Sequence, residues 1–212
     1  MSRLLWVPRE TVLGAAAVPV VLIFLIVVFS GVTIYSANRD LARAKAWSDL
    51  ARRFLPFVVL AVMAISVLFV RSFAQGWVVL AWMILFGVLV IASSLFSVPA
   101  LERRANGVFR RGDYPQAAEL YGKLVQEKPL ARNHAFHGAA LGASERYDES
   151  VNASTNAIAT DPEYGLAYYN RALVLRRMNK RTKAVKDLNK ALEADMPRRF
   201  RSAAKKILGE LN

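Results

Sequence analysis

YYNRALVLRRMNKRTKAVKDLNKAL, residues 168–192, carries no catalytic signature, yet its small and large residues are spaced too regularly for an ordinary charged surface segment. Ala172 and Ala184 fit two helices whose small side chains let the backbones approach closely, with Leu188 filling the space beside them. A helix pair of this kind cannot bury its apolar face alone, so the sequence on either side is expected to repeat the pattern.

It does. Residues 98–131, 131–164 and 165–198, written beneath one another, align Ala105 with Gly138 and Ala172. Tyr114 then falls on Tyr147 and Arg181, Ala117 on Ser150 and Ala184, and Leu124 on Ala157 and Ala191. The offsets are 33 and then 34 residues. GDY and ERYD supply the turns between paired helices. Pro129 and Pro162 follow each second helix, where the proline ring cannot continue the hydrogen-bond ladder, and Pro197 does the same one position late. The last segment, Pro197 to Leu211, has Phe200, Ala203, Ala204, Ile207 and Leu211 at helical spacing with Arg and Lys between them, as expected of a capping helix over 198–211.

These residues resemble three tetratricopeptide repeats over about half of the chain, most closely in Ala167 to Asp195 and in GDYPQAAELYGKLVQEKP, less so in the middle repeat, where Ser150 and Ser154 depart from the pattern. The resemblance implies a right-handed superhelix of antiparallel helix pairs whose concave face binds peptides or partner proteins. On the family pattern the groove is lined from the first helices, around Asn106, Arg132, Ala135, Tyr169, Leu173, Arg176 and Arg177. The Lys and Asn set with which some relatives hold a C-terminal carboxylate is not reproduced, since Glu102 and Ala135 stand where basic or amide groups are expected. An arginine-lined groove would instead favour an acidic segment.

The first half is of another kind. A membrane-spanning helix takes about 20 mostly apolar residues. Charge-poor runs predict spans at about 11–35, 54–74 and 77–98, the last two forming a hairpin turned by RSFAQG. The first run is longer than the roughly 7–15 apolar residues of a cleaved signal peptide. Pro56 marks either a kink or a first helical turn. The loop between the first two runs carries Arg39, Arg43, Lys45, Arg52 and Arg53, and Arg103, Arg104, Arg110 and Arg111 follow the third, so the positive-inside rule puts both on the cytoplasmic side and the N-terminus outside. Residues 37–53 of that loop read as a short amphipathic helix lying on the inner leaflet or extending a span, or as a solvated turn.

The expected protein is therefore all-α. Three transmembrane helices in a membrane domain, residues 1–101, precede a cytoplasmic three-repeat solenoid with a C-terminal capping helix, residues 102–212. A multi-pass protein of a bacterial inner or plasma membrane fits this pattern. The net charge of +13 concentrates in residues 171–206, where 13 basic residues face only Asp187, Glu193 and Asp195. Lys180, Arg181, Lys183, Arg198, Arg199, Arg201, Lys205 and Lys206 form a basic patch.

Absent cysteines exclude a disulfide framework and thiolate chemistry. His134 and His137 have no third ligand nearby, and no nucleotide-, zinc- or hydrolase-type motif occurs, so neither metal, cofactor nor enzymatic activity is expected. The expected function is that of a membrane-anchored scaffold for a protein partner, an acidic segment or a membrane-complex subunit. Anionic lipid is the alternative for the basic patch, and RNA or ribosomes fit less well because aromatic residues are not interleaved with it.

Overall fold

The computed structural model describes residues 24–70 and 76–211. The described residues form helices α1 (Phe24–Ala37), α2 (Arg39–Arg43), α3 (Trp47–Val70), α4 (Gly76–Ser97), α5 (Ala100–Arg110), α6 (Tyr114–Glu127), α7 (Ala131–Ala143), α8 (Tyr147–Thr160), α9 (Gly165–Arg177), α10 (Arg181–Glu193) and α11 (Arg198–Leu211). They divide into two compact units, one of residues up to Ala37 and Ala51–Ser97, the other of Asn38–Leu50 and the residues from Val98 onward.

In the first unit, α4 is the one helix among the described residues long and apolar enough to cross a membrane. Leu80, Ile84, Leu85, Val88, Ile91 and Phe96 all stand exposed on it, and Ser93 is buried. The expectation of three spans is not met among the described residues. Most of the first run precedes residue 24, and only Phe24–Ala37 is described, a 10–17-residue class of apolar helix. The second run belongs to a helix that starts at Trp47 and carries Asp49, Arg52 and Arg53, leaving only Phe54 to Val70 free of charge, short of the ~20 residues a span takes. Pro56 lies inside that helix rather than in its first turn. The RSFAQG turn falls largely outside the described residues. Within this unit α3 and α4 are tied by the Trp82 indole, which donates to Ser66 Oγ at 3.1 Å.

The second unit is the solenoid. Pairs α5–α6, α7–α8 and α9–α10 follow the offsets of 33 and 34 residues, and α11 closes the last pair. The aligned small residues are its contact points: Ala105, Ala117, Ala157, Ala184 and Ala191 are fully buried. In the middle pair, a Cβ on Gly138 would stand 2.5 Å from Ser154 Oγ and 3.2 Å from the Ser150 carbonyl, so only glycine permits the approach. Phe200, Ala204, Ile207 and Leu211 of α11 cover Leu166, Tyr169 and Leu188 of the last repeat.

Each turn inside a pair ends its first helix the same way. Gly112, Glu145 and Asn179 adopt positive φ. The N–H after each reaches back to a buried apolar residue: Asp113 to Val108, Arg146 to Leu141, Lys180 to Leu175. This is the helix-ending motif in which a left-handed residue lets two N–H groups satisfy the last free carbonyls.

Residues 38–50 are built on the same turn. Lys45 has φ 54°, and the Ala46 N–H bonds the Leu41 carbonyl at 2.9 Å. This strap carries a tandem, Asp40-Leu41-Ala42-Arg43 and Asp49-Leu50-Ala51-Arg52. Both Asp-Leu pairs are buried on the solenoid edge, Leu41 at 1% exposure. Asp40 pairs with Arg132 at 2.7 Å and Asp49 with Lys128 at 2.6 Å. Arg43 bonds Asp161 at 2.8 Å and Asp195 at 3.2 Å. Lys128, Asp161 and Asp195 occupy equivalent places just after α6, α8 and α10, so the strap reads one edge position of all three repeats. The loop expected to lay its apolar face on a leaflet thus turns Leu41 and Leu50 into the repeats, because each leucine is chained to an aspartate whose counter-cation is on the solenoid. The unit boundary also moves, from Leu101 to Val98 with the strap added.

Candidate functional site

First helices α5, α7 and α9, with α6 and α11 closing the ends, enclose a groove of about 660 Å³ in the solenoid unit. Its walls are aromatic because each pair contributes at least one ring, Phe109 and Tyr121 from the first, Phe136 from the second and Tyr169 from the third. The Tyr121 and Phe136 rings meet in a tilted arrangement at 5.7 Å between centroids, Phe109 lies 6.4 Å from Tyr121, and Tyr169 lies 5.6 Å from Phe200. Leu166, Leu173 and Val174 fill the wall on α9.

The polar groups in this wall are few and mostly committed. Tyr121 Oη donates to Asn106 Oδ1 at 2.6 Å. Burial, with the nearby Glu102 carboxylate, pushes the Tyr121 phenol up to about 12, so it stays a neutral donor. Asn170 Nδ2 donates to the Ala135 carbonyl at 3.0 Å, bracing α9 against α7. Three guanidinium groups border the apolar surface: Arg110 at the α5 end, and Arg177 and Arg199 on the α9–α11 side. Arg177 is steadied by the Gly142 carbonyl at 3.2 Å. Arg199 lies over the Phe200 ring at 4.7 Å.

Of the residues expected here from the sequence, Asn106, Tyr169, Leu173 and Arg177 line the groove. Arg132 does not: it is buried on the strap edge against Asp40. Arg176, about 100° around α9 from Arg177, leaves the groove and pairs with Glu210 at 3.2 Å. The basic patch divides in the same way. Arg199 is in the groove wall, whereas Arg201 spends its guanidinium on the Leu192, Ala194 and Met196 carbonyls at the end of α10. Arg181 donates to the Leu211 carbonyl. Lys180, Lys183, Arg198, Lys205 and Lys206 are exposed.

Phe109, Phe136 and Leu166 join the groove without having been singled out from the sequence, where their signal was a large apolar residue beside the small ones on first helices, and Arg110 and Phe200, read there as a flanking charge and a capping residue, join it as well. His134 and His137 sit half-buried against α6, where a Cβ on Gly122 would meet His137 Nε2 at 3.5 Å. Burial lowers both imidazole pKa values. No cluster of three metal-ligating side chains occurs among the described residues.

No family model matches the chain. A TPR repeat-containing thioredoxin, TTL4, of Arabidopsis thaliana is 28% identical over 100 residues, 46% of this chain. A DnaJ homolog subfamily C member 7 homolog of Schizosaccharomyces pombe is 29% identical over 99 residues, 44% of this chain. The chain spans only 14% and 21% of the length of those relatives. Among solved structures, the first TPR of Spaghetti (RPAP3) bound to an HSP90 peptide has 23% identity and a TM-score of 0.48, covering 52% of this chain and 86% of that one. Three helix pairs at offsets of 33 and 34 residues make the second unit a helical-repeat solenoid, and the Arabidopsis thaliana relative that it resembles is named for tetratricopeptide repeats.

Proposed function

We propose that this chain is a membrane-anchored, non-enzymatic adaptor whose groove takes an acidic segment of a protein partner, carrying an aromatic or aliphatic anchor. The observation that carries this reading is the groove's composition, an apolar aromatic wall with Arg110, Arg177 and Arg199 at its borders. A partner segment buries its anchor between Phe136, Tyr169 and Leu173 and meets guanidinium groups on either side. Glu102 and Ala135 are both buried and offer no cation or free amide, which favours an acidic internal segment over a chaperone C-terminal tail. The exposed apolar face of α4 supports the anchor, since apolar surface of that extent needs a non-aqueous neighbour. On this reading the solenoid works at the cytoplasmic face of an inner or plasma membrane and helps assemble a membrane complex.

The test is a photo-crosslinking residue at Leu173 of the full chain in native membranes, followed by mass spectrometry of the adduct. The expected adduct is a peptide with net negative charge, lost in an Arg177→Glu variant. An adduct to a basic segment, or one indifferent to Arg177, sinks the groove assignment. Extraction of the chain by alkaline carbonate would sink the anchor.

A further inference from the structure

The strap has two chemically opposite faces. Asp40, Leu41, Arg43, Asp49 and Leu50 are spent on the solenoid edge. Arg39, Lys45 and Trp47 point away from it, Trp47 at 61% exposure. An exposed indole two residues after an exposed lysine is unlike the rest of this unit, whose other aromatic rings are buried or half-buried. We infer that this outer face, Arg39, Lys45 and Trp47, is a binding surface for anionic lipid headgroups, so that the strap holds the solenoid with one side and the bilayer surface with the other.

Three observations fit that occupant. Tryptophan prefers the headgroup level, where its apolar ring and N–H are both satisfied. Lys45 and Arg39 supply positive charge with no acidic residue on the same face, because the acids of the segment are all turned inward. The chain also enters and leaves the strap through apolar helices: α1 ends at Ala37, and the charge-free run of α3 opens at Phe54, about two helical turns beyond Trp47. A protein partner would more naturally use the buried Asp-Leu pairs, which are already occupied.

This inference rests on the membrane reading given above, and the test separates the two. The full chain carrying Trp6→Phe, Trp77→Phe and Trp82→Phe keeps Trp47 as its sole indole and is reconstituted in vesicles of phosphatidylcholine with or without phosphatidylglycerol. The expected result is blue-shifted Trp47 emission that brominated phosphatidylglycerol quenches more than brominated phosphatidylcholine at equal mole fraction. Lys45→Gln should cut that preference by about fivefold, the contribution of one cation at an anionic surface, and Lys45→Arg should retain it. Emission at the fully hydrated wavelength without quenching, in a chain that resists carbonate extraction, overturns the inference and leaves the anchor standing. Equal quenching by both lipids also overturns it, since the headgroup charge then plays no part. A chain that fails to incorporate at all overturns both readings.

Discussion

Arg132 Nε and Asp40 Oδ2 lie 2.7 Å apart, with both side chains at or below 10% exposure, although 92 residues separate them in sequence. Burial pushes the Asp40 carboxyl above the usual carboxylate range and is only partly offset by the guanidinium. A pair so placed is costly to break and less costly to replace. Asp40→Asn, which leaves the guanidinium uncompensated, should cost about 3–5 kcal/mol, whereas Asp40→Leu with Arg132→Met should recover most of it. Denaturant titration of the full chain in detergent checks both; a single-variant loss under about 1 kcal/mol would mean the pair behaves as a surface contact.

Two serines of α8 should respond oppositely to alanine. Ser150 Oγ donates to the Gly138 carbonyl at 2.6 Å, while Ser154 Oγ, equally buried, has no hydrogen-bond partner among the described residues. Ser154→Ala is expected to stabilise by about 1 kcal/mol and Ser150→Ala to destabilise by a similar amount. Equal effects in thermal melts would contradict the assignment.

Glu145 sits at φ 64° in the middle turn, where the first turn uses Gly112. Relieving the left-handed conformation by Glu145→Gly should raise stability by about 0.5–1 kcal/mol. A Gly112→Ala variant should lose a comparable amount, and circular dichroism melts distinguish the signs.

His134 and His137 have pKa values below the ordinary 6.5 because burial disfavours their charged forms, Arg146 and His134 adding to the effect at His137. The unfolded chain therefore binds more protons than the folded one in the window below pH 6.5, and stability falls as the pH drops through it. His137→Gln should flatten that slope between pH 7 and 5 relative to the parent chain. An unchanged slope would show that His137 is not the titrating group.

In the groove, Phe136→Ala should weaken a bound acidic segment by about 2 kcal/mol or more through lost anchor contact. Lys183→Ala, exposed on α10, should change little. Fluorescence anisotropy with the segment identified by crosslinking reads both, and a larger effect at Lys183 would move the site to the basic patch.

The repeat register was legible because close packing forces small residues to recur, and Ala105, Gly138 and Ala172 mark the same contact in each pair. The capping helix was legible from Phe200, Ile207 and Leu211 alone. The fate of individual arginines was not. Arg132, Arg176, Arg177 and Arg201 look alike in sequence, yet they end in a buried ion pair, a surface pair, the groove and a helix terminus. A guanidinium on a flexible stem goes where acceptors are free, and that depends on chain segments far away. The strap was missed for the same reason: its amphipathic pattern was visible, but its counter-charges lie 79 to 152 residues downstream.

That separation orders events during synthesis. Arg43 leaves the ribosome 152 residues before Asp195, an interval of about 8–30 s at ordinary elongation rates. α3 and α4 are finished long before the strap has anything to close on, so the Asp-Leu teeth wait unpaired on the nascent chain. The last repeat to be translated supplies one end of the Arg43 clasp, and a chain cut short before Asp195 would be left with the strap engaged at fewer points than the complete one.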